Sequence, residues 1–324
     1  MNIAVLESGG AIAALLFRRV GDSLLATPAL RALKARYPKS LIIVLCEAQV
    51  KRVFEGLDYI DRIVCLESSS SLVLANALRA IPNLAATIDF LSDPRSALAC
   101  AMGGASVRVG FAKSLRRIMY THRVAVQDGE NPIYSAAHKL KLAEAIGAHS
   151  ENVLPDFTLF DENRSVADKL FQESNLRKSQ TAAFFITSRR EYKRWPLDRF
   201  VEIVNAVQSE LELSVAVIGG ENERSVVEEF CKSANLLPSS SILFSNIGDM
   251  AAFLSNCKLY IGNDGGPKHL AVAIGTQTVT VFQNDPWEYW TPPDSSRHIA
   301  IGGKSQSPSV EDVKLALTRT FASK

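Results

Sequence analysis

Apolar positions along the chain fall into two kinds of run that alternate with each other. Short, nearly continuous apolar stretches, Ala11–Phe17, Leu41–Cys46, Arg62–Leu66, Leu84–Phe90 and Ser106–Phe111, read as strands buried on both faces. Between them lie stretches with helical spacing. The first carries Leu24, Leu25, Leu30 and Leu33 on one stripe and stops at Tyr37-Pro38, with Thr27-Pro28 as a second start signal inside it. Ala48–Leu57, Leu72–Ile81, Pro94–Met102 and Tyr134–Ile146 follow the same pattern. Strands separated by helices of this length predict a parallel sheet with right-handed crossovers. The alternation breaks at Pro155–Gln180, which is polar, begins with Pro, holds one amphipathic helix around Val166–Phe171 and reads as the linker region.

Beyond the break the alternation restarts. Ala182–Thr187, Ser214–Gly219, Ser241–Phe244, Lys258–Ile261 and Thr278–Phe282 have strand character. Leu197–Glu210, Ser225–Ala234, Met250–Asn256 and Lys268–Ile274 have helix character, and Val310–Phe321 is a last helix. The prediction is an α/β protein of two Rossmann-like domains, residues 1–158 and 159–324, with the last helix packing at their junction. At 324 residues the chain is long enough for two such cores.

Composition narrows the class only a little. Hydrophobic residues make up 47% and charged ones 22%, a globular rather than a disordered balance, and a net charge of +2 selects no partner. Cys46, Cys65, Cys100, Cys231 and Cys257 are scattered and odd in number, so reduced thiols are expected rather than a disulfide framework. There is no metal-ligand spacing, no apolar run long enough for a membrane span and no basic start leading into an apolar stretch, so the expected location is cytoplasmic.

Three stretches carry chemistry. In Leu259–Ala273 a strand end feeds Gly265, Gly266 and Pro267 into a helix, whose unpaired N–H groups would face an anion; a purely geometric turn is the competing reading. Ser188-Arg189-Arg190-Glu191-Tyr192-Lys193-Arg194 is a dense cationic loop at another strand end, suited to charge growing on a leaving diphosphate, or simply solvated. Asp22 sits at a strand end ahead of the first helix, as a general base or as the helix N-cap. Lys113, Arg116, Arg117, His122 and Arg123 form a basic cluster after Phe111, and the spacing from Arg116 to Arg123 puts several cations on one face if the loop is helical. No nucleic-acid recognition fold is evident.

Taken together, Gly262-Asn-Asp-Gly-Gly-Pro-x-His-Leu-Ala-x-Ala-x-Gly275, Val20-Gly-Asp-Ser-Leu-Leu-Ala-Thr-Pro-Ala-Leu-Arg, Ala105-Ser-Val-Arg-Val-Gly-Phe and the Ser188–Phe200 stretch resemble, in the same order, the ADP-heptose:lipopolysaccharide heptosyltransferases of glycosyltransferase family nine. The resemblance implies a GT-B arrangement, with two Rossmann-like domains facing across a cleft. It implies an inverting transfer of a heptose, or a related sugar, from ADP-heptose or a similar nucleotide sugar to a lipopolysaccharide core-type acceptor. A nucleotide-sugar epimerase of the same fold, or a non-catalytic nucleotide-sugar-binding relative, are the alternatives.

Residue by residue, the resemblance makes Asp22 the base and Lys193 the leaving-group cation. Donor binding falls to Ser188, Arg189, Asp264, Gly265, Gly266, Lys268 and His269 in the C-terminal domain. The acceptor, an acidic glycolipid, falls to Lys113, Arg116, Arg117 and Arg123 in the N-terminal domain. No cofactor, metal or nucleic acid is implied; peripheral contact with the inner face of the inner membrane is. The sequence departs from the family pattern in three places. One extra residue separates Ser188 from Lys193 and Ile186-Thr187 stands where Pro-Gly is usual, which leaves open which of Arg189, Arg190 and Lys193 reaches the phosphate; Gly265 replaces a hydroxyl residue, with Lys268 an optional substitute for the missing phosphate contact. Residues 1–10 look like an extension, and Asn284–Pro293 resembles the family's Asp-Pro-x-x-Trp run, an aromatic loop or lid.

Overall fold

The computed structural model describes residues 3–17, 19–127, 129–293 and 295–322. Its contacts divide the chain into two units, Met1–Thr158 and Leu159–Lys324. Met1 and Asn2 of the extension lie outside the described residues.

The first unit runs α1 (Ala4–Glu7), β1 (Ala11–Leu16), α2 (Val20–Leu24), α3 (Thr27–Arg36), β2 (Ile42–Cys46), β3 (Arg62–Cys65), α4 (Ser71–Arg79), β4 (Leu84–Asp89), α5 (Pro94–Met102), β5 (Val107–Phe111), β6 (His122–Val124) and α6 (Ser135–Glu144). All strand pairs are parallel and the order is β3-β2-β1-β4-β5-β6. β1 is central and every one of its residues is buried, which is why its sequence shows no polar alternation. The segment read as one helix before Tyr37 is two, and Pro28 opens the second. Ala48–Val53 is a 3-10 turn rather than an α-helix. The N-terminal extension is packed: Leu6 is fully buried and its carbonyl accepts the Ser40 hydroxyl at 2.8 Å.

The second unit runs α7 (Asp161–Glu173), β7 (Thr181–Phe185), α8 (Leu197–Ser209), β8 (Ser214–Gly220), α9 (Arg224–Ser233), β9 (Ser241–Phe244), α10 (Ile247–Ser255), β10 (Leu259–Asn263), α11 (Gly266–Ala273), β11 (Gln277–Gln283), α12 (Trp287–Trp290), β12 (His298–Gly303) and α13 (Val310–Ala322). Its parallel sheet has the order β12-β11-β10-β7-β8-β9, the same winding as the first. The supposed linker is corrected here. Residues 161–173 form a full helix of the second unit, and Phe171 stacks on Phe253 of α10 with centroids 4.5 Å apart. Its polar sequence reflects one exposed face, with Ala167 and Phe171 alone buried. α13 buries Val313, Ala316 and Leu317 in the core of this unit and packs on α8, β11 and β12.

Of the four edge strands, β6 and β12 escape the sequence pattern because they are short or only half-buried, so neither gives a continuous apolar run.

In doubly wound sheets, ligands collect outside the carboxyl ends of the strands where the order reverses. That point lies between β1 and β4 in the first unit and between β7 and β10 in the second.

Candidate active site

The second unit's reversal point is built around Asn263, the last residue of β10. It is completely buried, and its amide donates to the Ile186 carbonyl at 2.8 Å while its Oδ1 accepts the Trp195 N–H at 3.0 Å. Asn263 thus pins both ends of the cationic loop that leaves β7. Trp195 is locked in turn, its indole N–H donating to the Pro308 carbonyl at 3.0 Å and its ring edge-on to Phe200. Gly262 permits the close approach of β10 to β7: a Cβ there would lie 2.3 Å from the Phe185 carbonyl oxygen. The glycine of the signature loop is therefore a packing requirement.

Fixed in this way, the loop aims Lys193 at the turn after β10. Its ammonium lies 3.2 Å from Asp264 Oδ2 and also pairs with Asp285, beyond β11. Asp264 Oδ1 meets the Lys268 ammonium at 3.1 Å and lies 3.8 Å from His269 Nε2. One carboxylate therefore has two lysines and a histidine around it. Burial opposes its charge, but Lys268, His269 and Lys193 together hold the Asp264 carboxyl below its ordinary range. Burial likewise opposes the Lys193 ammonium, and Asp264 and Asp285 hold it above its ordinary range.

Lys268 is fully buried and also donates to the Trp290 carbonyl. This differs from the phosphate contact expected of it: an ammonium enclosed between Asp264 and Trp290 braces the turn and the α12 segment from within. Within the Asn284–Pro293 run, Trp287–Trp290 form a short helix tied down by Lys268, with Tyr289 edge-on to Trp290 and the Trp290 ring beneath Lys193 at 5.2 Å.

Gly265 caps α11 in an extended conformation, and the helix opens at Gly266 with Pro267 in its second position. A Cβ at Gly266 would meet nothing within 4 Å, so open space adjoins the first turn of α11. Ser188 is buried, with its carbonyl accepting from Arg194 at 2.6 Å. Arg189 is exposed and makes no ion pair among the described residues. The structure thus brings Lys193, Asp264, Lys268 and His269 together and leaves Arg189 outside that network.

In the first unit, Asp22 follows β1 at the corresponding reversal point. It is not the N-cap: Arg19 holds that place, and Asp22 lies within the first turn of α2. Its carboxylate is 3.4 Å from the ammonium of Lys139, which also donates to Ser135 at 2.7 Å. Lys139 is buried on the face of α6 that includes Ala136, Leu140 and Ala143. The sequence reading passed over it, although a lysine inside an apolar stripe is a usable signal, because such a charge needs a partner. Asp285 likewise lies in a run whose sequence pattern points only to an aromatic loop or lid.

The basic cluster is not a helical face. Ser114–Met119 is a 3-10 turn and Arg123 lies on β6, so Lys113, Arg116, Arg117 and Arg123 are spread over a turn and an edge strand. The spacing argument assumed 3.6 residues per turn where the chain takes three.

Two doubly wound α/β units in one chain have the architecture of the GT-B fold. Residues 74–318 match the family model for glycosyltransferase family 9 (heptosyltransferase), and the chain belongs to that family. It is 24% identical over 108 residues to lipopolysaccharide heptosyltransferase 3 of Escherichia coli K12, a match covering 33% of this chain and 31% of that protein. Among solved structures, the family 9 glycosyl transferase of Veillonella parvula superposes with a TM-score of 0.83 at 21% identity, covering 97% of this chain and 98% of the other. ADP-heptose lps heptosyltransferase II of Escherichia coli gives 0.78 at 20%, covering 96% and 98%.

Proposed function

We propose that the chain transfers a heptose, or a related sugar, from ADP-heptose or a similar nucleotide sugar to an acidic lipopolysaccharide-core acceptor, inverting the anomeric centre. The observation that carries this reading is the Lys193–Asp264 pair beside the open first turn of α11. A nucleotide diphosphate entering there exchanges the carboxylates around Lys193 for phosphate oxygens. The ammonium and the first N–H groups of α11 then stabilise the charge that grows on the leaving diphosphate. Asp264, kept ionised by its cations, accepts hydrogen bonds from sugar hydroxyls.

Asp22 is the general base in this scheme. Its carboxylate takes the proton from the acceptor hydroxyl as that oxygen attacks the anomeric carbon, and the bond from that carbon to the diphosphate oxygen breaks. The Lys139 ammonium, 3.4 Å from that carboxylate, holds it in position. Acceptor phosphates or carboxylates are drawn to Lys113, Arg116, Arg117 and Arg123. With Lys193 and the helix supplying positive charge, the reaction proceeds without a divalent metal or other cofactor, in the cytoplasm at the membrane's inner face. The test is a thermal-shift and calorimetric panel of nucleoside diphosphates and nucleotide sugars. A ligand at about a hundred times its Kd stabilises by about 3 kcal/mol, so ADP-heptose and ADP should raise Tm where UDP-sugars do not. Equal shifts from all nucleotides would refute the adenine preference, and no shift from any would refute the donor site. Full turnover lost with a chelator and restored by magnesium would refute the metal-free scheme.

A further inference from the structure

Four of the five cysteines are buried, and Cys65 alone is exposed. Free cysteine is among the most buried residue types, so an exposed thiol on a strand is the exception. Cys65 ends the edge strand β3, and its register partner is Cys46, which ends β2 and is completely buried. The two strands are parallel, and register partners in neighbouring strands stand about 4.8 Å apart. A disulfide spans about 4.4–6.8 Å between Cα atoms. Both side chains also lie on one face of the sheet. Their chain neighbours Leu45, Val64 and Leu66 pack into one core cluster, so Cys46 and Cys65 share the opposite face. There the two thiols hydrogen-bond to each other. Cys100, Cys231 and Cys257 lie on α5, on α9 and ahead of β10, and none stands in register with another thiol.

The pair is unequal in a way that suits thiol–disulfide exchange. Cys65 meets solvent and is the sulfur a reagent reaches first. Cys46 is enclosed, and burial, followed by the neighbouring Cys65 sulfur, pushes its thiol up to about 12. It therefore stays protonated at neutral pH and meets an electrophilic sulfur only at Cys65. A Cys65 bound in a mixed disulfide carries no charge, so its share of that rise is then removed. Nearby, Lys51 favours the Cys46 thiolate and Glu47 opposes it. Between the two cysteines, residues 47–64 hold the end of the first unit. Arg52 donates to the Thr158 carbonyl at 2.8 Å and stacks over Phe157, and the Tyr59 hydroxyl donates to Asp156 Oδ2 at 2.8 Å. Thr158 is the last residue of that unit.

We propose that Cys46 and Cys65 are a reversible redox pair, closed into a disulfide by exchange with a low-molecular-weight disulfide, and that the bond locks residues 47–64 and the 156–158 segment they hold. The Cys65 thiolate attacks one sulfur of the small disulfide. That S–S bond breaks, a new one forms at Cys65, and the first small thiol leaves with the proton that Cys65 gave up. Cys46 then loses its proton and attacks the Cys65 sulfur, and the second small thiol leaves with that proton. Two protein thiols are oxidised, one small disulfide is reduced to two thiols, and protons balance. Disulfides that form in reducing compartments are usually transient, which suits a pair that opens again. Neither cysteine belongs to the transfer scheme, so the pair stands apart from the identity of donor and acceptor.

The experiment exposes the reduced full chain to oxidised glutathione, reads its intact mass, then blocks the remaining thiols with iodoacetamide and maps the cysteine peptides. The wild type should lose the mass of two hydrogens, with the bond mapped between Cys46 and Cys65, and dithiothreitol should reverse it. Cys46→Ala should stop at a glutathione adduct on Cys65, and Cys65→Ser should gain neither adduct nor bond. In the closed form, amides of residues 47–64 and 156–158 should exchange at least about tenfold more slowly than in the reduced form. The same amides in Cys65→Ser, treated alike, should not change. A wild type that keeps all five thiols free overturns the proposal. So does one that stops at the glutathione adduct as Cys46→Ala does, which makes Cys65 a solitary surface thiol. A bond mapped between the Cys65 residues of two copies assigns that thiol to self-association and also overturns it. A mapped Cys46–Cys65 bond with amide exchange unchanged overturns the lock.

Discussion

The two units share one winding and place a charged group at the same reversal point, yet they treat that charge differently. In the second unit Asp264 and Lys193 sit in a closed circuit with Lys268, His269 and Asp285, and Asp264 is almost wholly buried. In the first unit Asp22 has Lys139 as a neighbour and keeps about a third of its side chain open, at 32% exposure. A buried, multiply paired carboxylate is fixed in place and in charge, which suits holding a ligand. A half-open carboxylate can meet a hydroxyl and pass its proton on, which suits a base.

The sharpest way to break that contrast is Asp22→Asn. An asparagine cannot take the acceptor's proton, so the rate should fall by about 10²–10⁴ while ADP-heptose affinity measured by calorimetry stays within error. Because Asp22 does not cap α2, capping offers no alternative account of a lost rate. A folded variant with full turnover would remove Asp22 from the mechanism and pass the role of base to another group.

Lys193→Ala comes next. Losing a cation from the leaving group should lower kcat by about 10²–10³. Asp264 keeps Lys268 and His269, so the melting temperature should move much less than the rate does. If kcat survives and Arg189→Ala loses it instead, the phosphate contact belongs to the exposed arginine.

How much of this was visible in the chain depends on the range over which each signal acts. β1 and β10 announced themselves because a strand buried on both faces is apolar throughout. α7 showed only in part, as an amphipathic helix around Val166–Phe171, because one buried face carrying two residues leaves a mostly polar sequence. Asp264 and Lys193 stood out through local motifs, whereas their link to each other spans 71 residues and becomes visible only when β7 and β10 pair. The same holds for Lys139, 117 residues from Asp22. Lys268 shows the same limit: sequence places a cation beside a phosphate loop but not its partners, which in the fold are Asp264 and the Trp290 carbonyl.

Lys268→Met tests whether that lysine is a brace. Removing one partner of a buried ion pair typically costs about 3–5 kcal/mol, although here Lys193 still faces Asp264 and the loss should fall toward the lower end. Chemical denaturation should report the loss, and the donor Kd should worsen only through looser packing of Trp290, by about tenfold or less. A stable variant with donor binding abolished would instead restore Lys268 as a direct phosphate ligand.

The smallest expected effect is pH dependence of donor binding. Asp264 is held below its ordinary value, so its contribution to the folded site is present above the unfolded carboxylate range and is lost as pH falls through its lowered value. Lys193 is held above its ordinary value, so its contribution is complete below the unfolded lysine range and is lost as pH rises through its raised value. Between those limits neither group changes charge. His298, on β12, does have a folded value pushed down to about 4 by burial. It contributes stability that is present above the unfolded histidine range and declines as pH falls toward that value, which Tm will register but the donor site will not. The two phosphates of a nucleotide sugar are diesters and do not titrate here either. Affinity for ADP-heptose should therefore change by less than about threefold from pH 5.5 to 9, while Tm falls at the acid end. A tenfold change in donor affinity within that window, with Tm flat, would mean that the Asp264–Lys193 circuit opens at neutral pH, and the contrast with Asp22 would disappear.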